Sequence, residues 1–354
     1  MSSHNFPSET EVVVVGAGPA GLAVASCLQH KSIPHVILEK AHSTVPAWRN
    51  HYVRLHLHTN RALSGLPYFP MPHHFPKYPS RDQVVNYLDE YAALNWLDPF
   101  FNVTVESIKK ENGCWITTSS AGKITSRAVV VATGYYGEPI LPHWPGLDDF
   151  PGVVLHSRDY RNVDPFSNQD VLIVGFGNSG GEIALDLLER GARPTISVRS
   201  PVNIIPRDVL GIPILAIALV LSKLPPGLAD ALSWPLLKMY YPSYQRLGLR
   251  KAACGPFVQI SRNQKIPVLD IGTIRKIRSG HIQVVDEIRE IRGCVIAFSN
   301  GVEKAFQAIV LATGFQPGSK SILPKGSDIM NGSKVTVETG LPGLFLCGFN
   351  VSPT

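Results

Sequence analysis

Val12-Val13-Val14-Val15-Gly16-Ala17-Gly18-Pro19-Ala20-Gly21 lies near the start of the chain, and Val171-Leu172-Ile173-Val174-Gly175-Phe176-Gly177-Asn178-Ser179-Gly180 repeats its pattern about 160 residues later. In both places a β-branched run precedes the glycines. An apolar-periodic segment follows them, Leu22 to Leu28 in the first and Ile183 to Leu188 in the second. That order predicts strand, tight turn and helix, twice over. The first glycine permits the turn, the second lets a pyrophosphate approach the backbone, and the third lets helix and strand pack closely. A helix N-terminus then offers free amides and a partial positive charge to an anion.

The residues that close the second strand of each unit differ. Glu39, followed by Lys40, ends Val36-Ile37-Leu38 at 23 residues past Gly16, where a carboxylate can accept hydrogen bonds from a ribose diol. Arg199 stands 24 residues past Gly175, at the end of Ile196-Ser197-Val198. A guanidinium suits a 2′-phosphate. We therefore assign FAD to the first site and NADPH to the second, and two facing dinucleotides imply electron transfer between them.

Composition agrees with a soluble two-domain enzyme. The chain has 354 residues, 44% hydrophobic and 17% charged, with a net charge of +6 that is interleaved with apolar residues rather than clustered. This argues against a nucleic-acid partner. The cysteines, at 27, 114, 254, 294 and 347, include no CxxC pair, which argues against a redox dithiol beside the flavin. Scattered cysteines and an N-terminus without an apolar signal core fit a cytoplasmic protein. The most apolar stretch, Val209 to Leu221, contains Gly211 and Pro213 and falls short of the roughly 20 residues of a membrane span.

Along the chain, a Pro/His-rich segment (46–79) leads to a helix over about 80–94 and a β-meander over about 102–127. Apolar strands then end in the small turns Ala132-Thr133-Gly134 and, late in the second unit, Ala312-Thr313-Gly314. One more buried strand is expected over Leu344 to Gly348. The expected fold is α/β with two Rossmann-like domains: residues 1–150 and 300–354 form the FAD domain, and the NADPH domain, 160–295, is inserted into it. Segment 209–244 is read as a hydrophobic lid or pocket wall, with a peripheral membrane or partner contact, or ordinary packing of an extra helical pair, as the alternatives.

Phe150, Gly152, His156 and Tyr160 stand in the spacing FxGxxxHxxxY just before the second fingerprint. This resembles the identifying sequence of the flavin-containing monooxygenases, and the two Ala-Thr-Gly turns resemble that family's interdomain turns. Pro206 to Gly211, Leu247-Gly248-Leu249 and Pro267 to Gly272 are similar to the YUCCA-type branch. The resemblance covers nearly the whole chain. It implies a glutathione-reductase-like arrangement and an NADPH- and FAD-dependent monooxygenase that forms a flavin 4a-hydroperoxide from dioxygen. In the YUCCA-type branch a 2-oxo acid, indole-3-pyruvate, is oxidatively decarboxylated; other members oxygenate nitrogen or sulfur. An NADPH oxidase that makes no oxygenated product is the remaining alternative.

The resemblance also assigns residues. Asn60, in His58-Thr59-Asn60-Arg61, resembles the family's asparagine that contacts the flavin edge and its bound oxygen, and is the candidate catalytic residue. Plant YUCCA enzymes lack it, a departure that favours a microbial-type relative. Trp48 stands where relatives place a tryptophan near the flavin, although the glycine pair expected before it is absent. His156 reads as a structural hydrogen-bonding residue linking domains. His51, His56, His58, His73 and His74 have no metal-site spacing, and no metal is expected. Arg207 is a second candidate for the 2′-phosphate. Family members continue past Leu344 to Cys347 with a loop and a helix over the flavin, so the end at Thr354 reads as a shortened FAD domain.

Overall fold

The structure is a computed structural model that describes residues 5–324 and 339–349. The described residues divide into two compact units, one of residues 5–49, 60–138, 315–324 and 339–349, the other of residues 50–59 and 139–314.

In the first unit the all-valine run forms the strand Glu9–Val15, flanked in parallel by His35–Leu38 and by Gly122–Val131. The latter strand is long enough to serve two partners. Its first half pairs antiparallel with Cys114–Ser119, which continues to Val105–Glu111 as the expected meander. Its second half lies between Glu9–Val15 and the parallel strand Leu344–Leu346. Val13, Val129 and Leu344 are completely buried in the parallel part, which is covered on both faces, and Trp115 and Ile124 are completely buried on the inner face of the antiparallel part. The helix Arg81–Leu94 starts at Ser80 through a reciprocal capping box with Gln83. It buries Val84, Val85, Leu88, Tyr91 and Ala92 at helical spacing.

The second unit carries five parallel strands in the order Gln283–Val285, Arg193–Ser197, Asp170–Val174, Ala308–Leu311 and Val153–His156. A separate antiparallel sheet is formed by Ile288–Arg292, Val295–Phe298 and Glu303–Ala305. The boundaries differ from those expected at 150–160 and 295–300. Ala308–Leu311 pairs with both Asp170–Val174 and Val153–His156, so the chain cannot leave this unit until Gly314. Residues 50–59 also belong here, held by the hydrogen bond from the Val53 amide to the Arg161 carbonyl.

Segment 209–244 folds as a short hairpin, Asp208–Val209 against Ile212–Pro213, and two helices, Ile214–Leu221 and Pro226–Tyr240. Among the described residues no helix is long and apolar enough to cross a membrane.

The third fingerprint glycine is packed against backbone in both units. A Cβ at Gly180 would lie 2.1 Å from the Gly175 carbonyl oxygen, whereas one at Gly177 would meet nothing within 4 Å. Gly180→Ala is therefore expected to destabilise the protein by about 2 kcal/mol or more, since backbone must move. Gly177→Ala should leave the unfolding midpoint nearly unchanged. Thermal unfolding of both variants checks the contrast.

Candidate functional site

The two glycine turns are built alike. Gly16 and Gly175 both adopt φ +107°, a conformation that side chains resist. Their amides donate to the last carbonyls of the neighbouring strands, Leu38 at 2.8 Å and Ser197 at 2.9 Å. A Cβ on Gly16 would sit 2.7 Å from the Ala132 carbonyl oxygen, and one on Gly175 would sit 2.5 Å from that of Ala312. The two Ala-Thr-Gly turns thus close over the first glycine of each fingerprint. Ala132 and Ala312 in turn donate their amides to Val15 and Val174.

Both glycine-led helices, Pro19–His30 and Asn178–Glu189, begin at an extended glycine, Gly18 or Gly177, without a side-chain cap. The contrast with the boxed start at Ser80 is physical: no side chain competes for the first-turn amides, and open space lies above the glycine. These are the properties that a pyrophosphate needs. Pro19 adds a pre-set φ at the first helical position. Ala20 lies under the Gly348 turn, where a Cβ would be 2.7 Å from its methyl. In the second helix the Asn178 side chain is turned away, its Oδ1 accepting the Leu269 amide at 2.7 Å, while Ser179 is half-buried.

Glu39 is buried, and its carboxylate accepts the Ala17 amide at 2.8 Å and the Ala41 amide at 2.9 Å. The acid therefore also ties the fingerprint turn to the end of the second strand. Each oxygen retains a lone pair for a ribose hydroxyl. Lys40 beside it is exposed. Arg199 is exposed, its carbonyl accepting from the Arg250 guanidinium, and Arg207 stands 3.5 Å from Asp208.

Asn60 caps the short 3-10 turn Arg61–Leu63, its Oδ1 accepting the Leu63 amide at 3.0 Å. The cap fixes the side chain and leaves the Nδ2 hydrogens as its donors. Trp48 is half-buried in the one-turn helix Pro46–Arg49. Next to that turn lies a feature the sequence did not announce: Val45, fully buried, is held at φ +47° with its amide on the Ala17 carbonyl. A β-branched residue there is strained, and the strain sits against the fingerprint.

A family described as pyridine nucleotide-disulphide oxidoreductase matches residues 13–208. Indole-3-pyruvate monooxygenase YUCCA1 of Oryza sativa subsp. japonica is 37% identical over 348 residues, 95% of this chain and 86% of the rice protein. The chain belongs to the flavin-containing monooxygenases, in their YUCCA-type branch. A flavin-containing monooxygenase from Stenotrophomonas maltophilia shares the fold with TM-score 0.72 at 24% identity, over 97% of this chain and 91% of that one. So does a cyclohexanone monooxygenase mutant from Rhodococcus sp. Phi1 bound to NADP+, with TM-score 0.74 at 18% identity, over 98% and 83%. The protein is an FAD- and NADPH-dependent monooxygenase.

The monooxygenase identifying sequence has a structural reading here. Gly152 admits the Gln307 carbonyl, which a Cβ would meet at 2.1 Å, and Phe150 packs into the core beside Ile309. The Tyr160 hydroxyl donates to buried Asp186 at 2.7 Å. His156 accepts the Arg158 amide on Nδ1 and donates from Nε2 to the Gly314 carbonyl at 3.1 Å, so the histidine holds the second Ala-Thr-Gly turn within its own unit. Of the histidine cluster, His58 reaches Glu182 at 2.8 Å, a buried carboxylate that also accepts the Tyr52 hydroxyl at 2.8 Å. Only the fold brings these together, since Tyr52 and Glu182 are 130 residues apart.

Burial lowers the His156 pKa from its ordinary 6.5, more than the Gly314 carbonyl raises it. The neutral ring is the folded form, and the unfolded chain takes up the proton first. Its stabilising contribution is therefore complete above about pH 6.5 and is lost as pH falls toward the lowered folded value. We expect the difference in unfolding free energy between wild type and His156→Gln to shrink from pH 7.5 to pH 5.5 in denaturant titrations; a difference independent of pH would contradict this.

Proposed function

We propose that this enzyme oxidatively decarboxylates an aromatic 2-oxo acid such as indole-3-pyruvate to the corresponding acetic acid. The balance is one 2-oxo acid, dioxygen, NADPH and a proton going to the shortened acid, carbon dioxide, NADP+ and water. The observation that carries the substrate class is the 37% identity to the rice indole-3-pyruvate monooxygenase along nearly the whole chain. Bound FAD supplies the electron transfer from NADPH to dioxygen, which no side chain could perform.

The chain's share is to hold, orient and donate. The free amides of Gly18, Ala20 and Gly21, on the turn set by Gly16 and Pro19, would bind the FAD pyrophosphate, and Glu39 would accept its ribose hydroxyls, with Lys40 and Trp48 alongside. Gly175, Gly177, Asn178, Ser179 and Gly180 form the corresponding NADPH cradle, with Arg199 on the 2′-phosphate. Ala132-Thr133-Gly134 and Ala312-Thr313-Gly314 close the two turns. The first unit serves FAD, and the second unit, with its five parallel strands, serves NADPH. Asn60, its Oδ1 held by the cap, would offer its Nδ2 hydrogens as donors to bound FAD. Asn60 also supports N- or S-oxygenation as a second reading, because the plant YUCCA enzymes lack it. The five unpaired cysteines support a reducing, cytoplasmic setting.

Turnover of indole-3-pyruvate with release of one carbon dioxide per NADPH supports the first reading. Oxygenation of trimethylamine or a thioether, with no turnover of 2-oxo acids, overturns it in favour of the second. Asn60→Ala should keep its FAD but lose several-fold in product formed per NADPH consumed, consistent with loss of one preorganised donor. An unchanged ratio removes Asn60 from the reaction. Arg199→Ala should lower the preference for NADPH over NADH by about tenfold or more, the worth of a charge-assisted phosphate contact. An unaltered preference places the phosphate elsewhere.

A further inference from the structure

Exposed large apolar side chains are concentrated in one part of the chain. Leu210, Ile212, Leu219, Val220, Leu228, Leu232, Trp234 and Met239 all lie within 30 consecutive residues of the second unit and are all exposed. On the helix Pro226–Tyr240, Ala229, Leu236 and Tyr240 are turned to the packed side, Leu236 and Tyr240 joining the cluster around Val209, Ile214 and Leu269. A second stripe at helical spacing, Leu228, Leu232, Pro235 and Met239, is exposed and wholly apolar. A helix that ends on water ordinarily carries polar residues there.

Two further features mark this face. At the tip of the hairpin before the first helix, Leu210 is 94% exposed and held at φ +48°, beside Gly211 at φ +83°. A leucine in that conformation is strained as well as unburied, where asparagine or glycine would serve a turn better. Trp234 is half-exposed and lies under the Lys238 ammonium at 4.7 Å.

Charge selects the partner. From 209 to 250 the charged residues are Lys223, Lys238, Arg246, Arg250 and Asp230, four basic and one acidic, a surplus of three. Asp230 is turned inward, accepting the Phe257 and Val258 amides at 2.9 and 3.0 Å. Within this segment the exposed charged residues are therefore all basic. We propose that the exposed apolar face docks this enzyme on an anionic membrane surface. Trp and Lys at the edge of an apolar face match the headgroup layer, with the aromatic body in the acyl boundary and the ammonium at lipid phosphates. A second copy of the chain fits less well, because lysine is depleted at protein interfaces and pairing would bring like charges together. The two helices, of 8 and 15 residues, lie on the bilayer rather than cross it.

The test is sedimentation of the FAD-loaded full chain with phosphatidylcholine vesicles, with and without phosphatidylserine. Binding is expected on the serine-lipid vesicles, weaker on phosphatidylcholine alone and weaker in high salt. Leu232→Glu with Met239→Glu should lower the partition coefficient by about 100-fold, the worth of two buried apolar side chains. Thermal unfolding and flavin content are followed in the same protein. If that pair disturbs the fold, Leu210→Ser, at an exposed turn, is expected to weaken binding without lowering the unfolding midpoint. Absence of sedimentation with either vesicle overturns the proposal. So does concentration-dependent dimerisation that the same substitutions abolish, which would make the face a self-association surface. None of these readouts depends on the substrate, so they stand apart from the reaction proposed above.

Discussion

The carbonyl oxygen of Gly16 occupies the space where a Cβ on Gly21 would be, and the Gly175 carbonyl does the same to Gly180. This contact between a turn and the first turn of the following helix is the constraint on which each unit depends. It presses the helix start against the strand end and leaves the leading amides uncapped, aimed past a glycine that has nothing above it. The positive φ of Gly16 and Gly175 follows, and so does the placement of the two Ala-Thr-Gly turns, whose alanine carbonyls fill the remaining space. Uncapped amides beside an open glycine are what remains once the backbone has been packed as closely as glycine allows.

Much of this was legible in the sequence because it is local. Four consecutive valines before a glycine turn predict a buried strand, and Ser80 with Gln83 announces the start of its helix. The two glycine turns and the meander, expected over about 102–127 and found over 105–131, rest on near neighbours. The unit boundaries did not. Ala308–Leu311 carries nothing that says which sheet it joins; pairing with Asp170–Val174 decides that across more than a hundred residues.

The site residues divide in the same way. Glu39 was read as a ribose acceptor, and its two bonds to Ala17 and Ala41 show that it also holds the turn. Asn60 was read for its chemistry, and its capping of Leu63 explains how a short polar side chain is kept in place. His58 and Tyr52 gave no signal because their partner, Glu182, lies on a distant helix. Val45 is the reverse case: its φ of +47° is set by the Ala17 contact, and β-branched chemistry argues against it at sequence level.

Two like glycine turns, one tied to the Glu39 carboxylate and the other followed by Arg199, are the places we propose for FAD and NADPH. The most direct measurement is anaerobic titration of the FAD-loaded protein with NADPH, followed by the flavin's visible absorption, in wild type and in Gly177→Ala. The account predicts loss of the yellow absorption at one equivalent in wild type, and intact, bound but unreduced flavin at the same NADPH concentration in the variant. Failure of the wild type to retain FAD, or equal reduction in both proteins, would contradict it.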